Sequence, residues 1–333
     1  MQNNRESHMK ILAVDDDSFT LELLIKMAEL LGFSDFKTAS SGAAALKLLQ
    51  KSDIAFDCLL FDITMPGIDG IELCSLVRAM PAYRKTPIIM LTAMAEKDSI
   101  DRAFKAGATD YANKPFDVVE LGARLRMAEE DVLARRGEVP TRPVFSPKRG
   151  STVSQHAAEL SEAVQIDGIE NLIEYTALGN YLTQLSSAGL GGQQVLAVKV
   201  EKIETIYSRT SSEEFLYALS EVADAVGDVF ETSSYAMAYA GNGTFVIVSS
   251  KASLESSVRV EAAIQTILDT NCAEYDNGDP MEITVSLGNP IRPSLSKRQG
   301  IRRTFDRAIA RAESRAMKKE NDPRPHNIRM FRS

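Results

Sequence analysis

Histidine and cysteine are both scarce in this chain of 333 residues, which has three of each. No apolar run approaches the roughly 18 residues that a bilayer span needs. His8, His156 and His326 fall outside the stretches that read as strands or core helices, which argues against histidine-based catalysis and histidine-ligated metals. Cys58, Cys74 and Cys272 form no C-x-x-C pair and two of them sit in apolar runs, so packed, reduced thiols are expected and disulfides are not. No signal-peptide pattern opens the chain, and a cytoplasmic protein is expected. Positive charge is also in deficit. With 38 Lys and Arg against 46 Asp and Glu, the net charge of -8 repels a phosphate backbone and disfavours nucleic acid as a partner. What remains for chemistry is carboxylate, lysine, serine and threonine, a set suited to Mg2+ and phosphate.

At about 150 residues per domain the length suggests two domains. A composition of 44% hydrophobic and 25% charged residues is that of an ordinary globular protein. Residues 1–8, MQNNRESH, are polar and unpatterned and are set outside the fold, with Met9 as an alternative start. From Met9 onward short apolar runs alternate with amphipathic stretches. Strands are predicted at 11–14, 36–39, 58–61, 87–91 and 110–112, with helices between them. Ser18 fits as the N-cap of a helix reaching Leu31, and Gly32 and Gly107 fit just past helix ends. Strands alternating with single helices imply a parallel sheet covered on both faces, a (βα)5 doubly wound domain over residues 9–136.

Residues 137–165, rich in proline and basic residues, read as a linker. Aromatic interleaving is absent there, so a solvated tether is expected in preference to a nucleic-acid contact. In the following region, 166–333, helices are predicted at 172–185, 213–226, 255–271 and 302–319. Strands are predicted at 195–200, 234–240, 244–249, 282–287 and 328–331. Gly241-Asn242-Gly243 splits two strands, and Asn-Gly between alternating apolar residues signals a hairpin because such turns need positive φ. This order implies an α+β domain with a mostly antiparallel sheet, of the ferredoxin-like or palm type.

In an open parallel sheet the ligand site lies beyond the carboxyl ends of the strands. There the first strand ends in Asp15-Asp16-Asp17, the third in Asp62, the fourth in Thr92, and the fifth in Lys114 followed by Pro115. Carboxylates converging at one rim repel one another unless a cation joins them, which implies an oxygen-liganded Mg2+. One carboxylate can then attack phosphorus while the cation and a lysine ammonium neutralise the developing charge. Asp17 reads as a solvated or capping carboxylate, since two acids suffice for the metal.

These residues resemble the receiver domain of two-component response regulators. The likeness covers about residues 9–130 and rests on VDDD, LLFDITMPGIDG, IIMLTA and DYANKPF in that order. It implies a flavodoxin-like fold with Asp62 as phosphoacceptor, and Mg2+ held by Asp15, Asp16, Asp62 and the backbone carbonyl of Thr64. It further implies that Thr92 and Lys114 contact the phosphoryl group, that Tyr111 is a switch following Thr92, and that the Lys114–Pro115 bond is cis. The donor would be a sensor histidine kinase or phosphotransferase. A phosphorylation-dependent homodimer through the face of the fourth and fifth helices is one implied outcome.

The stretch YAMAYAGNGTFVIVSS, with VSLGNP, ALGNYL and NIRMF, resembles the GGDEF family of diguanylate cyclases over about residues 170–332. Those enzymes join two GTP molecules using metal-holding carboxylates and basic residues on the phosphates. At the family's functional positions this chain has Gly243 and Thr244 for the acidic pair, Lys199 for the metal Asp, Tyr207 and Leu216 for the guanine contacts, and Glu320 for the phosphate Lys. Lys319 is adjacent to the last of these, and Arg324 keeps a family Arg position. Thr232-Ser233-Ser234-Tyr235 stands where the R-x-x-D inhibitory motif is expected. Nothing there would hold Mg2+ against its hydration. Gly189, Gly191 and Gly192 lack a G-K-[ST] element and read as a flexible connection. The expectation is therefore no enzyme in the usual sense but a phosphorelay switch whose degenerate output domain binds a downstream protein. The alternative is an effector that binds GTP or cyclic di-GMP without turnover; an active cyclase ranks last.

Overall fold

The computed structural model describes residues 7–51, 55–93, 96–136, 159–164, 166, 169, 171–187, 192–250, 256–293 and 298–321. The chain divides into two compact units, one of residues 1–152 with 179–190 and one of 153–178 with 191–333. Residues 179–190, which the sequence groups with the C-terminal half, count with the first unit.

In the first unit, strands β1 (Ile11–Val14), β2 (Phe36–Ala39), β3 (Cys58–Asp62), β4 (Ile88–Thr92) and β5 (Asp110–Asn113) form a sheet in the order β2-β1-β3-β4-β5. All four pairings are parallel. One helix follows each strand: α1 (Ser18–Leu31), α2 (Gly42–Lys51), α3 (Gly70–Arg78), α4 (Lys97–Lys105) and α5 (Val118–Arg135). The order is the flavodoxin-like one. Every residue of β1, β3 and β4 is buried, as central parallel strands covered on both faces require. Ile11, Ala13, Cys58, Leu60, Ile89 and Leu91 pack against Leu24 of α1 and Leu121 and Leu125 of α5. Leu59 and Phe61, the alternate residues of β3, are buried as well.

Two local expectations change. The N-cap of α1 is Asp17 rather than Ser18, because its carboxylate accepts from the Phe19 N–H at 3.0 Å and the Thr20 hydroxyl at 2.8 Å. Ser7, set outside the fold by its polar surroundings, donates its backbone N–H to the Gly32 carbonyl at 2.9 Å and bridges Phe33.

The second unit holds β6 (Gln194–Val200), α7 (Ile203–Arg209), α8 (Ser212–Phe230), β7 (Tyr235–Tyr239), β8 (Thr244–Ser249), α9 (Ser257–Asn271), β9 (Val285–Leu287) and α10 (Arg298–Glu320). Before them runs α6 (Tyr175–Ser187), whose first four residues count with this unit and the rest with the first. The sheet is antiparallel in the order β7-β8-β6-β9. Phe215, Leu219, Val222 and Val226 of α8 join Val260 and Ile264 of α9 in a core against Leu196, Val198, Met237 and Ile247. The turn between β7 and β8 has positive φ at Gly241, Asn242 and Gly243, at 86, 50 and 64°, as the Asn-Gly signal requires.

Helix α7 is absent from the sequence reading; it has only two turns and no capping side chain at Lys202. The helix predicted from 172 begins at Tyr175, because the Ile173 N–H donates to the Met237 carbonyl at 2.8 Å and keeps this backbone at the sheet. The strand predicted from 282 shortens to β9, since its partner β6 ends at Val200, opposite Val285. The predicted strand 328–331, Arg324, Gly189, Gly191 and most of the linker lie outside the described residues. No helix among the described residues is long and apolar enough to cross a membrane.

Candidate functional site

The strand order turns back between β1 and β3, so the crevice of the sheet opens at their carboxyl ends. Asp15 and Asp16 follow β1 and Asp62 ends β3. One carboxylate oxygen from each lies within 4.8 Å of the others. Asp15 is 1% and Asp62 5% exposed, whereas Asp16 faces solvent. Lys114, just past β5, sends its ammonium across the crevice to 2.7 Å from Asp15 Oδ2 and 2.7 Å from Asp62 Oδ1. The Lys114–Pro115 bond is cis, as expected. Thr92 ends β4, 5% exposed, and shares a side-chain hydrogen bond with Tyr111, whose ring is fully buried. Asp15, Asp16, Asp62, Thr92 and Lys114 thus lie at one rim, with Tyr111 buried within β5 beside Thr92; Thr64 sits two residues beyond Asp62, and its backbone N–H bonds the Asp62 carboxylate.

Electrostatics follow from this crowding. Burial pushes the Asp62 carboxyl above its usual range; the Lys114 ammonium pulls it back, and the charge of Asp15 adds to the rise. Burial alone would lower Lys114, but the hydrogen bonds it gives to Asp15 and Asp62 hold it above its ordinary value. Three carboxylates face one ammonium, which leaves negative charge in excess. Hard oxygen donors with one of them open to solvent fit Mg2+, which takes a few carboxylates and keeps several waters. Such a cation, when bound, would neutralise oxygens of an incoming phosphoryl group.

One functional residue is missed by the sequence reading. A Cβ on Gly70 would lie 2.0 Å from the Asp62 carbonyl oxygen, so only glycine lets the start of α3 close against the end of β3. Its trace in the sequence is the Asp69-Gly70 pair opening an apolar helix, with Asp69 capping through a 2.8 Å bond to the Glu72 N–H. The thiols of Cys58 and Cys74 are buried and pushed up to about 12, as inert packed cysteines should be.

In the second unit the predicted positions do not form one cluster. Lys199 and Glu320 line a cavity of about 780 Å³ beside Asn242, together with Lys202 and Lys319. Lys199 stands opposite Thr244 in the strand register and donates to the Asn242 carbonyl; burial lowers its pKa. At Gly243 a Cβ would come within 2.7 Å of Ile203. Tyr207 instead packs edge-on against Phe215 with ring centroids 5.0 Å apart, and Leu216 is exposed on α8; neither lines the cavity. Lys319 is committed to Glu201 at 2.8 Å and Glu261 at 3.1 Å.

A flavodoxin-like sheet with carboxylates, a lysine and a hydroxyl meeting at its switch point defines a receiver module of two-component signalling. The family model of the response regulator receiver domain matches residues 11–126. Chemotaxis protein CheY-3 of Vibrio cholerae is 37% identical over 118 residues, 35% of this chain and 89% of that protein. Chemotaxis protein CheY of Pseudomonas aeruginosa is 37% identical over 124 residues, 37% of this chain and 98% of that protein. Transcriptional regulatory protein TcrA of Mycobacterium tuberculosis is 34% identical over 141 residues, 42% of this chain and 52% of that protein. Through these residues the chain belongs to the response regulator receiver domain family. Receiver domains bind Mg2+ and are phosphorylated by histidine kinases or phosphotransfer proteins.

Proposed function

We propose that the chain is a phosphorelay switch in which Asp62 takes a phosphoryl group from a sensor histidine kinase or phosphotransfer protein, with Mg2+ held by Asp15, Asp16, Asp62 and the Thr64 carbonyl. The observation that carries this reading is Lys114 Nζ at 2.7 Å from both Asp15 and Asp62 beside the buried Thr92. An Asp62 oxygen forms the bond to phosphorus as the donor's bond breaks, the electron pair leaving with the donor atom. Lys114 neutralises the equatorial oxygens, and Thr92 donates its hydroxyl to the group once formed, which moves it relative to Tyr111. The test is incubation with acetyl phosphate and Mg2+. Wild type should gain an acid-labile phosphoryl group and Asp62→Ala should gain none; equal labelling of the two overturns the assignment.

For the second unit the reading is a degenerate GGDEF-like output domain, of ferredoxin-like or palm type, that makes no cyclic di-GMP and acts by binding a downstream protein. Lys199 supports it, because an ammonium pinned to the turn carbonyl of Asn242 occupies with positive charge the position where the resemblance expects a metal carboxylate. Gly243 supports it too, since any acidic side chain there would meet Ile203. Nucleotide binding without turnover remains the second reading, for which the cavity is the favouring observation. Four glutamates, Glu201, Glu204, Glu313 and Glu320, outnumber its three lysines and weigh against a polyphosphate.

A further inference from the structure

The α4–β5 side of the receiver carries an occupant drawn from the same chain. Residues Gly179–Ser187 of α6 count with the first unit. Tyr181, Leu182 and Leu185, at i, i+1 and i+4, lie along one apolar stripe of the helix, and all are buried. Beside that stripe stand two buried amides, Asn180 and Gln184, one helical turn apart. Asn180 Nδ2 donates to the Thr109 carbonyl at 2.9 Å and Gln184 Nε2 to the Tyr111 carbonyl at 3.0 Å. Both acceptors lie in or beside β5, an edge strand of the sheet. Tyr181 reaches α4 instead: its hydroxyl donates to Asp101 Oδ1 at 2.8 Å and its ring meets Phe104 edge-on, with centroids 5.4 Å apart. Asp101 takes the Lys97 ammonium on its other oxygen at 2.6 Å, which fixes it for Tyr181.

These contacts end on the residue that also serves the acidic crevice. Tyr111 holds Gln184 through its backbone carbonyl and Thr92 through its side chain, and Thr92 stands at the strand end next to that of Asp62. We propose that residues 179–187 are a built-in ligand of the α4–β5 face, and that modification of Asp62 and docking of this segment oppose each other. The inference rests on Asp62 being the phosphoacceptor and goes beyond it by naming what the switch releases. A phosphoryl group on Asp62 draws the Thr92 hydroxyl toward its oxygens and away from Tyr111. Tyr111 and its stretch of β5 are then held less firmly, and the two amide bonds that need fixed carbonyls weaken. Coupling of this kind is reciprocal: loosening the α6 segment must favour modification of Asp62 by the same factor. Until the segment leaves, the face is closed to any outside protein that would use it.

Hydrogen exchange of the full-length protein tests this, with beryllofluoride and Mg2+ as the phosphoryl mimic and 19F resonance of the bound mimic as the separate check on Asp62. In the unmodified protein the amides of 179–187 should exchange slowly, and Gln184→Ala and Tyr181→Phe should each speed them about three- to tenfold, the worth of one lost hydrogen bond. Bound mimic should speed them in wild type, and both variants should bind the mimic more tightly by a similar factor. Fast exchange in the unmodified protein overturns the docking. Slow exchange that stays unchanged while the 19F signal reports bound mimic overturns the coupling. Absence of the 19F signal overturns the phosphoacceptor reading and the coupling with it, and leaves the variant effects on the unmodified protein to judge the docking alone.

Discussion

Lys114 is the residue on which the first unit turns, because among the described residues it is the ammonium set against Asp15 and Asp62 at hydrogen-bonding distance. Replacing it with alanine removes the charge that offsets the burial cost of Asp62 and the group that would meet the phosphoryl oxygens. The expected result for Lys114→Ala is phosphoryl transfer from acetyl phosphate slowed by about a hundredfold, on the scale of losing one preorganised charge donor. A stopped time course of acid-labile phosphate measures it. The places of Asp15, Asp62, Thr92 and Lys114 at this rim were legible because each stands at or just past the end of an apolar strand. Gly70 was not, because its constraint is a 2.0 Å approach between segments that no local pattern records. Gln184 and Tyr181 were equally hidden: inside a helical stretch they read as one polar and one packed residue, and only folding sets them on Tyr111 and Asp101.

At the scale of elements, the parallel sheet was readable because its central strands are continuous apolar runs, and their observed ends fall within one residue of the expected ones. The element that escaped is α7, two turns with no capping side chain, and the bounds that moved are those set by pairing rather than by composition: β9, cut short where β6 ends, and the start of α6, displaced by the backbone bond from Ile173 to Met237. The junction of α9, α10 and β9 depends on one buried acid. Glu261 accepts the Leu287 N–H at 2.8 Å and pairs with Arg315 at 3.1 Å and Lys319 at 3.1 Å. Burial alone would raise its pKa, but Arg315, the Leu287 N–H and Lys319 together lower it. A carboxyl whose folded value lies below its unfolded one contributes stability above the unfolded value, near 4.5, and loses it as pH falls through the folded value. Glu261→Gln should therefore destabilise the second unit by about 2 kcal/mol at neutral pH and flatten its stability profile below pH 4.5, since a buried carboxylate loses its charge-assisted bonds to partly exposed partners and the titrating group is removed. Urea unfolding of the two proteins across acidic pH reads both effects.

For the whole molecule, the two halves treat charge differently. The first gathers carboxylates around a crevice open to a cation, whereas the second sets Lys199 and Lys319 among glutamates and ties each down. Incubation with GTP and Mg2+ should accordingly give no cyclic di-GMP, and product analysis by chromatography checks it; turnover at an ordinary enzymatic rate contradicts the degenerate output. The most direct measurement is to treat the acetyl-phosphate-labelled protein with borohydride, which reduces an aspartyl phosphate to homoserine, and to map the altered residue by peptide mass spectrometry. The account predicts homoserine at position 62; no reduced residue, or reduction at Asp15 or Asp16 instead, would contradict it.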